Sequence, residues 1–108
     1  MRVRFSRASR FDLQDIAAYL NREHGHSVAQ RFNSTLREAT LSLRRYPRRA
    51  PVIASAPNRE LRRLVSAPYV IVYEVRDDEA FVVRILHGAQ DVDPILRTWG
   101  LAPPSDED

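Results

Sequence analysis

Seven arginines fall between residues 44 and 63: Arg44, Arg45, Arg48, Arg49, Arg59, Arg62 and Arg63. Guanidinium groups at this density can grip phosphates or a run of carboxylates, because each presents a planar fork of donors to two oxygens at once. The same density fits a solvated face whose arginine stems lie over apolar surface, and the residues alone do not separate the two. Arg84 is a different case, a lone cation inside an apolar run. His87 closes that run and is followed by Gly88. An imidazole there could act as a general base if a scissile group and a phosphate-neutralising cation stood beside it. His24 and His26 flank Gly25, but two histidines in a tight turn make a metal site only with a third ligand. The chain has no cysteine, and Glu23 points along a helix end, so exposed turn residues are the better reading and no metal or cofactor is expected. Asp91 suits the N-cap of a following turn. Trp99, the lone tryptophan, either staples that turn to the body or meets a target.

These groups need elements to position them. Val3 and Phe5 alternate with Arg2, Arg4 and Ser6, as in a short strand. Leu13, Ile16, Ala17 and Leu20 make one apolar stripe of a helix over residues 8–24, and Gly25 stops it. Ser27 with Gln30 reads as a capping box that opens a second helix over 27–46. Its stripe is Val28, Phe32, Leu36, Ala39 and Leu43, and Pro47 ends it. So short a link folds the two helices into an antiparallel hairpin on one side of a sheet. Residues 47–58, with three prolines, read as an irregular connection. Three strands follow: one around Leu61–Leu64, one over Tyr69–Val75, and one over Phe81–His87, the last two joined by an acidic turn at Asp77 and Asp78. Alternation puts Tyr69 and Tyr73 with Ile71 and Val75, which favours core packing over base stacking. An odd number of loop residues would place Glu74 and Arg84 together on the wetter face.

The expected fold is therefore α+β: an N-terminal strand, a helical hairpin, then a three-stranded antiparallel sheet in two layers. At 108 residues the chain is one domain, expected over residues 1–99, with a flexible acidic tail over 100–108. All 17 basic residues are arginine and the net charge is +3. Three of the 14 acids are Asp106, Glu107 and Asp108, so the body is more basic still and suits an acidic partner. No apolar run is long enough to span a membrane, and the start lacks a signal-peptide pattern. The absence of cysteine fits a reducing cytoplasm.

The motifs together resemble the ParE/RelE superfamily of bacterial toxins, in its ParE-like branch. The resemblance rests on Leu61-Arg62-Arg63-Leu64, Tyr69-Val70-Ile71-Val72-Tyr73, the turn at Asp77-Asp78, and Ile85-Leu86-His87-Gly88-Ala89-Gln90-Asp91. Gln90 departs from the arginine usual there. Phe11 to Ile16 and Ala29 to Phe32 extend it, so that it spans residues 2 to 96. The resemblance implies a toxin of a type II toxin–antitoxin pair that binds DNA gyrase and is neutralised by a cognate antitoxin on the surface the helices leave open. It implies no sequence-specific nucleic-acid binding. Arg59, Arg62, Arg63, Arg84, His87, Asp91 and Trp99 are the residues it marks for antitoxin or target. The alternative is a ribosome-dependent endoribonuclease of the RelE kind, or an inactive relic. That nuclease branch carries an arginine inside the middle strand, where this chain has Val70.

Overall fold

The computed structural model describes residues 1–57, 59–88, 94 and 97. Asp91, Trp99 and the acidic tail lie outside the described residues. Strand β1 (Arg2–Phe5) leads into helix α1 (Arg7–His24), and helix α2 (His26–Leu41) follows after one residue. A short 3-10 turn over Ser42–Arg44 ends the helical part. Strands β2 (Val52–Ala56), β3 (Arg59–Ser66), β4 (Tyr69–Arg76) and β5 (Glu79–His87) follow.

Among the described residues the sheet has five strands in the order β1-β5-β4-β3-β2, not the three expected. β1 joins it parallel to β5, with Arg2 opposite Glu79 and Phe5 opposite Val82. β2 lies in the proline-rich stretch expected to be irregular, and pairs antiparallel with β3 along the far edge. Its five residues between Pro51 and Pro57 are too few to show a period, and its pairing breaks register between Val52 and Ala54. Prolines and a bulge belong to an edge strand, where missing donors cost least.

The helices cover one face of the sheet. Leu36, Leu43, Tyr69, Ile71, Tyr73, Val82 and Ile85 form the main core, with Leu13, Ile16 and Phe32 packed on it. Both sequence stripes therefore face inward as expected. α1 starts one residue early because Ser6 caps it: the Ser6 hydroxyl accepts the Ser9 N–H at 3.0 Å and donates to the Val83 carbonyl at 2.6 Å. Gly25 sits at φ 87°, in the left-handed region that only glycine enters cheaply. It ends α1 and also stands at the cap position of α2. The capping box at Ser27 does not form; α2 begins at His26 with no side-chain cap.

The other sheet face carries Ala54, Leu61, Val70, Val72, Val83 and Leu86. It is not the wetter face. Glu74, which points there with Val70 and Val72, is 1% exposed. The turn between β4 and β5 has two residues, and an extra residue enters later, where the register shifts between Val72 and Tyr73. That bulge brings Arg84 opposite Val72.

Candidate partner-binding surfaces

At the free end of β4 and β5, Tyr69 stands opposite His87. Their rings meet edge-on at 6.0 Å, and Tyr69 meets Phe32 of α2 in the same way at 6.0 Å. The α1–α2 turn brings Tyr19 and His24 alongside, 6.1 Å apart. Together with Leu20, Val28 and Pro68 these residues line a hollow of about 410 Å³. Burial pushes the Tyr69 phenol above its ordinary value, and Tyr19 adds to this. Gly88 makes a close approach: its N–H donates to the Pro68 carbonyl at 2.7 Å, and a Cβ would stand a tight 3.1 Å from that oxygen. The described lining holds two imidazoles and two phenols but no arginine and no carboxylate. Such a hollow can bind an apolar or aromatic group. Its described lining offers a pentacovalent phosphate no guanidinium to offset its charge.

The arginines marked in the sequence separate into two groups. Arg62 is 9% exposed. It donates to the Ala50 carbonyl at 2.7 Å and the Arg48 carbonyl at 3.2 Å, and pairs with Glu60 at 3.3 Å. It braces the loop before β2 rather than facing solvent. Arg63 is half-buried, and its Nε is enclosed without a hydrogen-bond partner. Arg59 and Arg76 hold opposite oxygens of Glu74, each at 3.1 Å, which is why that carboxylate can be buried. Arg84 forms a fork on Asp12 of α1, at 2.8 and 2.9 Å, and the same carboxylate accepts the Ile85 N–H at 2.9 Å. The hydrogen bond that Arg84 donates to Asp12 holds the Arg84 pKa above its ordinary value, against a smaller lowering by burial. Asp12 thus closes the edge of β5 beyond the reach of β1. Its role is not legible in the sequence, since its partners lie more than seventy residues away.

The second group is exposed. Arg44 and Arg45 make no ion pair among the described residues, Arg48 reaches Glu60 only at 3.8 Å, and Arg49 donates to the Ser42 hydroxyl at 2.8 Å. Tyr46 beside them is 60% exposed. This basic end lies at the C-terminus of α2, opposite the end that holds His87. His24 and His26 do not converge with a third ligand; His26 Nδ1 lies 3.4 Å from the Asn21 amide oxygen. Among the described residues no three histidines, cysteines or carboxylates gather, and no helix is long and apolar enough to cross a membrane.

A family model described as "ParE toxin of type II toxin-antitoxin system, parDE" matches residues 3–92. Among solved structures, one of the chromosomal ParDE TA system from P. aeruginosa superposes with a TM-score of 0.66 at 19% identity, over 81% of this chain and 95% of that one. No curated protein matches the sequence.

Proposed function

This chain belongs to the ParE toxin family of type II toxin–antitoxin systems, and we propose that it halts growth in the cytoplasm by binding DNA gyrase, without catalysis of its own, until a cognate antitoxin covers it. The observation that carries the non-catalytic reading is the lining of the His87 hollow. A general base there would act on a phosphate with no guanidinium in the described lining to balance its charge. Electrostatic stabilisation of the transition state is usually the largest single contribution to such a reaction. Val70 supports the reading less directly than the sequence suggests. Its side chain lies in the cluster on the other face of the sheet, so an arginine there would not stand beside His87.

A basic, arginine-rich body suits an acidic antitoxin segment that folds as it binds. The test is to express the chain alone and with its antitoxin, and to measure DNA supercoiling by gyrase and cleavage of ribosome-bound transcripts from the same cells. Gyrase inhibition relieved by the antitoxin supports the reading. Transcripts cut in a His87-dependent way would replace it with the endoribonuclease alternative.

A further inference from the structure

Four arginines and a tyrosine stand together where the helical part ends. Arg44, Arg45, Tyr46, Arg48 and Arg49 are all exposed, and no acid occurs between Glu38 and Glu60. Arg44 and Arg45 make no ion pair among the described residues. Arg48 reaches Glu60 at 3.8 Å with both side chains exposed, so little of its charge is offset. Arg49 donates to the Ser42 hydroxyl at 2.8 Å. Cations this dense on one short turn draw an anionic partner.

The turn is held from beneath. The Tyr46 N–H donates to the Ser42 carbonyl at 2.9 Å, and the Arg49 N–H donates to the Tyr46 carbonyl at 3.2 Å. From the sheet, the Tyr73 hydroxyl donates to the Pro47 carbonyl at 2.8 Å, and Arg62 donates to the carbonyls of Arg48 and Ala50. Tyr73 and Arg62 are themselves buried. These anchors from the sheet use backbone carbonyls only, so folding leaves the choice of outward side chains open. A partner meets a turn that needs little ordering, which removes part of the entropic cost of binding.

Base stacking needs an aromatic ring exposed beside basic groups. Tyr69 and Tyr73 are buried, whereas Tyr46 is 60% exposed and has arginines on both sides. Beside it a hollow of about 530 Å³ is lined by Glu38, Leu41, Arg44 and Arg45. A ring, an apolar wall and flanking cations complement an unpaired nucleotide, which offers a flat base with a phosphate on either side. We propose that this turn binds single-stranded nucleic acid, with one base against Tyr46 in the hollow and phosphates on the pairs Arg44–Arg45 and Arg48–Arg49. A duplex keeps its bases stacked and would use the arginines alone, and a run of carboxylates has no flat group for the ring. Recognition by stacking and phosphate contacts tolerates any base. The surface lies at the opposite end of the helical hairpin from His87 and is separate from that hollow. The proposal goes beyond the toxin reading and does not depend on its target.

The experiment follows the fluorescence anisotropy of a thymidine strand of about twelve nucleotides as the purified full chain is added, over a range of salt. A duplex of the same length, an abasic strand and polyglutamate serve as comparisons, and thermal melts confirm that each variant is folded. The wild-type chain should bind the strand more tightly than any of the three. In Arg44→Gln/Arg45→Gln the slope of log affinity against log salt should become shallower by about 1.4, two phosphate contacts at roughly 0.7 each. Tyr46→Ala should weaken binding roughly five- to a hundredfold, and Tyr46→Phe should stay within about twofold of wild type. Removing the bases should cost the wild-type chain about what Tyr46→Ala costs, and should cost that variant little more. A wild-type chain that does not bind the strand at low salt overturns the proposal. So does equal affinity for strand, duplex and polyglutamate, which would reduce the surface to charge alone. Folded Tyr46→Ala that binds within about twofold of wild type refutes the stacked base and the site with it. The family reading stands apart from all of these results, since antitoxin binding tests it separately.

Discussion

Replacing Arg62 separates a brace from a contact. The side chain supplies the hydrogen bonds to the carbonyls of Ala50 and Arg48. Ala50 is buried, so without Arg62 its carbonyl loses a bond that water replaces poorly, at about 1–3 kcal/mol. The Arg48 carbonyl can reach water and should add about 1 kcal/mol or less. Against this, Arg62 Nε is enclosed without a partner, and methionine relieves that burden while keeping the apolar stem. Arg62→Met should therefore lose about 2–3 kcal/mol in urea unfolding, a large share of the roughly 5–15 kcal/mol a domain has. Arg62→Glu should lose more, about 3–5 kcal/mol, because it buries an anion beside Glu60 and two carbonyls. Antitoxin affinity of the folded Arg62→Met protein should stay within about threefold of wild type. The reasoning fails if Arg62→Met unfolds at wild-type urea while antitoxin affinity drops by roughly tenfold or more; Arg62 would then face the partner.

Asp12→Ala leaves both the Arg84 fork and the Ile85 N–H unpaired and should cost about 2–3 kcal/mol, whereas Asp12→Asn, which keeps an acceptor, should cost about 1 kcal/mol. Equal losses for the two in chemical denaturation would deny Asp12 its role at the β5 edge. Burial raises the Tyr73 phenol above its ordinary value, against smaller lowering by the Ala50 backbone and by Arg62 and Arg49. The folded chain then keeps a proton that the unfolded chain releases, so stability is full below the unfolded pKa of about 10 and falls as pH rises through the folded value. Tyr73→Phe should flatten that alkaline loss in melts across pH 8 to 11, and an unchanged slope would assign it to other groups. Toxicity should persist in His87→Gln with its fold intact; a growth-neutral His87→Gln that melts like wild type would mean the imidazole has a direct part in the activity.

Helices and the central strands were legible because burial writes a period into them. Leu13, Ile16 and Leu20 on α1, and Phe32 and Leu36 on α2, repeat at helical spacing, and Tyr69 to Val75 alternates as a strand does. β2 was not, since a short edge strand between prolines carries no period. β1 was legible as a strand but not as a parallel neighbour of β5, because that pairing is set by the whole helical crossover. The site was legible in part. His87-Gly88 stood out correctly as a strand end, and Gly88 has a steric reason next to Pro68. The arginines did not sort themselves by sequence: Arg62 and Arg63 are adjacent to each other but turned inward or half-covered, while Arg44 and Arg45 are outward. What distinguishes them is the loop carbonyls and carboxylates that the fold brings near.

The most direct test of the central claim is a supercoiling assay with purified gyrase and purified chain, run beside a translation-coupled mRNA cleavage assay at matched concentrations. The expected result is inhibition of supercoiling, relieved by the antitoxin, with transcripts left whole. Intact gyrase activity together with cleavage that vanishes in His87→Gln would contradict it.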